Sequence, residues 1–462
     1  MEAVVLVPGI MGTRLVLPAS PGRDEEEVWP PTPWETQFGY RRIAELQDKR
    51  AVPTTLINNV LCYSIYRIIA RQLNELGFTE DGHEKCFVPF PYDWRLDNFH
   101  TAGLLATRLD ALHAEGVRRI AIVAHSMGGL IARLLLETPT YVERPWFGDI
   151  HLFAALATPH LGAPLTLARV FGVDETTLGI SGPDFATLAS NRDFPSGYQL
   201  LPAPGEAAVW MTNSPDVRPL DIYDDATARM LGMDPALVAH ARAQHDALAA
   251  GTAPAHVRYF YFAGVGHRTV TRVNVTVNGS VVDHAGTVVT RTADAGDGTV
   301  PLYSALPKPA QRQLVVNEHG TVFDGRPFRR VFFRLLGGDD GAALEAAGEP
   351  EGPSLVLSLD QPVQPLARDI EVTLKVAGPA TGIAAEPVRA TSIFGTLVVE
   401  AVDEAGRLLA QPPLLQPIAY RGPAIEGLTV YLPPMAEPGL FSLRFEGEPQ
   451  APTSVAFAAS AA

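Results

Sequence analysis

Short, unbroken apolar runs alternate with amphipathic stretches through the first part of the chain. Residues 3–7, 120–123 and 152–156 are wholly apolar, and 87–90 is interrupted only by Pro89. Between them Leu61, Ile65, Ile68, Ile69, Leu73 and Leu76 recur at helical spacing up to Gly77, and Leu105, Leu109 and Leu112 do so up to Gly116. A strand with no polar face must be covered on both sides, and helices are what cover it. The pattern predicts an α/β domain with a doubly wound, mostly parallel sheet. A third helix is expected over 127–137, a strand over 257–263 and a closing helix over 323–336.

Two stretches depart from this rhythm. Residues 163–255 hold short mixed segments and many turns, and read as a cap insertion. Residues 273–282, split by Asn278-Gly279, read as a hairpin. A Gly- and acid-rich linker follows at 337–353. Beyond it the apolar residues recur at every second position, as in Ile370, Val372, Leu374 and Val376 or Phe441, Leu443 and Phe445. That predicts an all-β, sandwich-like domain over 354–462, after a catalytic domain over 1–336.

The chain has 462 residues and a formal net charge of −15. Nucleic acid is excluded as a partner on that charge, since binding it needs a basic face. Docking on an anionic membrane is disfavoured for the same reason, although a local apolar patch for peripheral membrane contact is compatible with it. No signal peptide or membrane-spanning run is read, which predicts a soluble, cytoplasmic protein. Cys62 and Cys86 lack metal spacing and are expected to be buried reduced thiols, a disulfide being the alternative.

The chemistry centres on Ile122-Val123-Ala124-His125-Ser126-Met127-Gly128-Gly129. An apolar strand runs into a serine and then a helix, with small residues two before and two after the serine. Such a turn is too sharp for larger side chains, and it lifts the hydroxyl off the sheet. Ser126 is therefore the expected nucleophile of an α/β-hydrolase, with an N-capping serine as the alternative. His125 is expected to turn away from it. A serine needs a base and the base an acid, in the chain order Ser, acid, His. Asp297, in the tight turn Gly296-Asp297-Gly298, and His319, after the apolar strand at 315–316, fit those places. Asp294 and Asp283 are fallback acids. His267 and His284 precede the acid and would break the order. The glycine-lined loop Val7-Pro8-Gly9-Ile10-Met11-Gly12 is expected to supply the Ile10 amide to an oxyanion, with the Met127 amide as second donor.

Taken together, Val4 to Leu15 (VVLVPGIMGTRL), Pro91-Tyr92-Asp93-Trp94-Arg95, Ala124 to Gly129 and Gly296 to Pro301 resemble the lecithin:cholesterol acyltransferase-like family. That family includes phospholipid:diacylglycerol acyltransferases and lysosomal phospholipase A2. The resemblance runs over roughly residues 3–335. It implies that Ser126, Asp297 and His319 are the triad and Ile10 and Met127 the oxyanion donors. It also implies an acyl-serine intermediate, formed from lipid or other long-chain acyl esters and passed to water or an alcohol, with no metal or organic cofactor. Tyr92, Asp93 and Trp94 could shape the acyl site or anchor the helix near Phe99. His160, in Thr158-Pro159-His160-Leu161-Gly162, is expected to be structural. The alternatives are a binding or scaffolding protein on the same fold, with the β-domain as its recognition module, and an esterase for small soluble esters. The β-domain's partner is not indicated.

Overall fold

The apolar runs form one six-stranded parallel sheet. Its strands are β1 (Glu2–Val7), β2 (Lys85–Pro89), β3 (Arg119–His125), β4 (Ile150–Leu156), β5 (Arg258–Gly264) and β8 (Gln311–Val315), in the order β8-β5-β4-β3-β1-β2. In register, Val4 faces Phe87 on one side and Ala121 on the other, and Ile122 faces Phe153. This computed structural model describes the chain except for residues 23, 33–34, 37–38, 58, 61–62, 65, 176–178, 214–217, 280, 307–310, 339–353, 360, 362, 378–388, 404–407, 450–453 and 461–462.

Every residue from Ala3 to Val7 is fully buried, so the absence of a polar face in that run has its structural cause. One sheet face packs on α1 (Tyr66–Glu75) and α5 (Arg326–Leu335). There Val4, Leu6, Val123 and Phe262 meet Ile69, Leu73, Phe328 and Phe332 in one apolar cluster. The helix that follows Ser126, α3 (Met127–Glu137), packs between α2 (Asn98–Ala114) and α4 (Pro235–Ala250). All eleven of its residues are buried. Such burial stabilises by roughly 25 cal/mol per Å² of apolar surface, which makes α3 a rigid mount for Ser126. The closing helix begins at Arg326 rather than near 323, because a 3-10 turn (His319–Thr321) and the following turn come first.

Residues 163–255 form helices Leu165–Val170, Gly182–Ala189, Asp225–Met230 and α4, with short strands Val209–Met211 and Arg218–Pro219. The hairpin turning at Gly279 is longer than the sequence marked. β6 (His267–Asn278) and β7 (Val281–Gly296) pair antiparallel, and Val209–Met211 joins them in a second sheet.

The chain divides into two compact units, residues 1–58 with 65–339, and residues 59–64 with 340–462. The second unit has a three-stranded sheet, ordered Ser354–Leu359, Ile370–Ala377, Gly427–Leu432. It also has a five-stranded sheet of Val363–Pro365, Val455–Ser460, Gly439–Glu448, Ala390–Val402 and Leu414–Ile425. Leu355, Val372 and Leu374 of the first share a core with Leu397, Val399 and Leu443 of the second. This is a β-sandwich, as the period-two pattern implied. The linker expected at 337–353 lies outside the described residues from 339 onward. Among the described residues no helix is long and apolar enough to cross a membrane.

Candidate active site

Ser126 stands between the end of β3 and the start of α3 with φ 52° and ψ −125°, a conformation that few non-glycine residues adopt. The small residues around it are required by contact. A β-carbon on Gly128 would collide with the Val7 and Pro8 carbonyls, and one on Gly129 with the Thr158 hydroxyl. A β-carbon on Gly9 would stand 2.8 Å from the Ser126 β-carbon, so only glycine lets the 8–12 loop come so close.

The structure brings the three expected side chains together. His319 Nε2 lies 2.8 Å from Ser126 Oγ, and His319 Nδ1 lies 2.8 Å from Asp297 Oδ2. Asp297 is fixed by its other oxygen, which accepts from the Thr299 and Val300 amides at 2.9 and 2.7 Å. Burial alone would raise its pKa. The His319 imidazole and these amides outweigh burial and hold it below the ordinary carboxylate range. The His319 amide donates to the Asp297 carbonyl at 2.9 Å, joining the acid and base loops. The Asn317 side chain pins the base loop through the Thr321 and Asp324 carbonyls.

The Ile10 amide makes no hydrogen bond among the described residues. The Met127 amide is the first of a helix and has no intrahelical partner, with the positive end of the helix dipole behind it. Side chains hold the loop that carries Ile10. Tyr92 donates its hydroxyl to the Pro8 carbonyl at 2.8 Å, Trp29 its indole N–H to Met11 at 2.8 Å, and Trp94 to Thr13 at 3.2 Å. Of the two readings of Tyr92, Asp93 and Trp94, the one that has them anchor the helix near Phe99 is corrected. Asp97, not these residues, caps the helix, its side chain accepting from the Phe99 amide at 2.7 Å. Tyr92 and Trp94 brace the 8–13 loop, and Asp93 pairs with buried Arg95 at 2.6 Å.

His125 is turned away from Ser126, as expected. Its Nδ1 lies 2.9 Å from the Tyr66 hydroxyl and its Nε2 3.0 Å from the His319 carbonyl. Burial first, and then the neighbouring His319, push its pKa down to about 3, so the ring is neutral. Nothing in the sequence marked Tyr66. Of the rival groups, His267 borders the same hollow as His319, and the other three lie elsewhere. Asp283 and Asp294 are exposed on β7, and the His284 ring lies 4.8 Å from Phe171. His160 is buried against Tyr261, with Nδ1 3.4 Å from the Arg133 guanidinium. Cys86 is a free thiol but only half-buried, because β2 is an edge strand; Cys62 lies outside the described residues.

Ser126 is 5% exposed and the His319 side chain 17%, so a reacting group must approach from the histidine side. A hollow of about 330 Å³ opens there, lined by His267, Arg268, Asp297, Thr299, Glu318 and His319. A larger hollow, about 440 Å³, lies against Lys49, Asp93 and Phe194 and includes none of the three site residues. Size alone therefore does not mark the site.

A family model described as lecithin:cholesterol acyltransferase matches residues 53–224, which include the Pro91–Arg95 string and the Ser126 elbow. The uncharacterized protein YJR098C of Saccharomyces cerevisiae is 28% identical over 148 residues, 32% of this chain. The match spans only 21% of the length of that curated relative. Among solved structures, a chain of the Tle4–Tli4 complex superposes with a TM-score of 0.51 at 13% identity, over 73% of this chain and 98% of the other. That is a likeness of fold. The lipase BlEst2 of Bacillus licheniformis is 10% identical over 99% of this chain and 92% of its own, with a TM-score of 0.34. Residues 53–224 are thus similar to the lecithin:cholesterol acyltransferase family, on a chain whose sheet and elbow are those of an α/β-hydrolase fold.

Proposed function

We propose that the protein cleaves acyl esters of lipids through an acyl-serine intermediate, with Ser126 as nucleophile, His319 as base and Asp297 as the orienting acid. One observation carries this reading: a single imidazole lies 2.8 Å from the serine oxygen on one side and 2.8 Å from the carboxylate on the other. The lipid class rests on the family match over residues 53–224. Residues 1–336 are the catalytic domain in this reading, with 163–255 as its cap.

The steps follow from the geometry. Asp297 Oδ2 accepts from Nδ1–H, which leaves Nε2 as the ring's acceptor. The Ser126 proton passes to Nε2 as Oγ attacks the ester carbonyl. The Ile10 and Met127 amides receive the charge on the carbonyl oxygen, and each such donor is worth about a hundredfold or more in rate. The imidazolium, stabilised by Asp297, then protonates the leaving alkoxide, and the acyl-serine remains. Water or an alcohol gives its proton to His319 and attacks the acyl carbon, and as the acyl–Oγ bond breaks the imidazolium returns that proton to Ser126 Oγ, releasing an acid or a new ester.

A fluorophosphonate probe tests the nucleophile. Labelling of the wild type and none of Ser126→Ala is expected. A wild type that resists the probe would sink the enzyme reading and favour a binding protein on this fold. Incubation with a phospholipid, with and without a long-chain alcohol, then separates the acceptors. Free fatty acid alone at every alcohol level means hydrolysis, and an alkyl ester means transfer.

A further inference from the structure

Behind Ser126 runs a buried chain of hydrogen bonds that the steps above do not use. The Gly9 amide lies 2.7 Å from the Tyr66 oxygen, that oxygen 2.9 Å from His125 Nδ1, and His125 Nε2 3.0 Å from the His319 carbonyl. The two ends settle every proton. A carbonyl only accepts, so Nε2 carries the His125 hydrogen and Nδ1 accepts. Tyr66 must then donate to Nδ1 and accept from Gly9. Burial keeps the phenol protonated and the imidazole neutral, so the pattern does not change with pH over the working range. Bonds aligned in one direction strengthen one another.

The ends of this chain are the two moving parts of the proposed reaction. Gly9 immediately precedes Ile10, the expected oxyanion donor. The His319 carbonyl belongs to the base itself. Phe323 packs on both links, with centroids 6.1 Å from Tyr66 and 5.5 Å from His125. Packing alone does not require these residues. A phenylalanine and a leucine would fill similar volume, and replacing both partners of a buried hydrogen bond by apolar groups can be nearly neutral for stability. A phenol and an imidazole with this proton order instead fix two backbone positions relative to each other.

We propose that Tyr66 and His125 are positioning residues that hold the 8–12 loop and the base in one register, so that the Ile10 amide and His319 Nε2 meet the reacting carbonyl together. This rests on the triad reading above. Small displacements of catalytic groups cost about a hundredfold in rate, which sets the expected scale.

The test uses the full chain and a fluorophosphonate probe, reading both the labelled fraction and the rate per site. Tyr66→Phe is expected to label to full stoichiometry at a rate lower by about tenfold or more, with kcat on an ester falling alike and KM within about twofold. His125→Leu should fall at least as far. His125→Gln, whose amide N–H can reach the His319 carbonyl, should recover part of the loss. The Tyr66→Phe/His125→Leu double variant should be no slower than the slower single, because the two act as one unit. Wild-type rates per site in both single variants would overturn the proposal. So would a loss confined to the labelled fraction, which is what damaged packing produces, or losses that multiply in the double variant. Labelling that persists in Ser126→Ala is a different failure, and it would remove the triad reading instead.

Discussion

Gly264 closes against Asp297 so tightly that a β-carbon on it would stand 2.5 Å from the Asp297 β-carbon and 2.6 Å from the Asn317 carbonyl oxygen. The end of β5 thus touches the acid turn and the base loop at once. Neither can give way freely, because Asp297 is bonded to the Thr299 and Val300 amides and Asn317 to the Thr321 and Asp324 carbonyls. Gly264→Ala should push the carboxylate off the imidazole. We expect turnover to fall by about a hundredfold and stability by about 1–3 kcal/mol. Labelling kinetics and calorimetry read the two effects, and an alanine variant with wild-type turnover would contradict the contact.

Asp297→Asn keeps the shape and removes the charge. The amide can turn an N–H toward Nδ1, which favours the tautomer with its hydrogen on Nε2. That tautomer cannot take the Ser126 proton at 2.8 Å. A drop in kcat of about ten-thousandfold is expected, with substrate binding little changed. Steady-state kinetics on a chromogenic ester decide it. A variant within tenfold of wild type would mean that another group orients the ring.

The sheet was legible because buried strands leave a plain mark: residues 3–7 and 120–123 have no polar member, and each is wholly buried in the fold. Ser126 was legible because the elbow imposes small neighbours, and the Gly128 and Gly9 contacts are the physical form of that rule. Asp297 and His319 followed from order along the chain and position at strand ends. The supports of the site were not legible. Tyr66 lies 57 residues from Gly9 and 59 from His125, and nothing in its own neighbourhood indicates either contact. Tyr92 and Trp94 stood out as a string, but a string does not say which way its rings face. They face the 8–13 loop.

Arg95 ties the Pro91–Arg95 string to residues 46–51. It is buried, lies at hydrogen-bond distance from both oxygens of Asp93 and donates to the Leu46, Asp48 and Ala51 carbonyls. Arg95→Ala leaves a buried carboxylate without its counterion, at a cost of about 3–5 kcal/mol. Arg95→Lys should recover little, since a single ammonium cannot replace the planar fork. Tyr92→Phe strands only the Pro8 carbonyl and should cost about 1–3 kcal/mol. Urea unfolding ranks the three. An Arg95→Lys protein as stable as wild type would mean that charge alone suffices there.

Glu35 makes a prediction in pH. Its carboxylate accepts from the Thr32 amide at 3.0 Å and from Arg42 Nε at 2.8 Å. Burial pushes its pKa up, but the Arg42 bond and the Thr32 amide prevail and bring it from the ordinary 4.5 down to about 2. A carboxyl depressed in the folded state stabilises above its unfolded value, and that contribution is lost as the pH falls through the folded one. Glu35→Gln should therefore cost about 1–3 kcal/mol at pH 7, and the difference from wild type should shrink steadily between pH 5 and pH 2. Calorimetry of both proteins across that range measures the gap. A gap that stays constant or widens toward pH 2 would show that Glu35 acts through shape rather than charge.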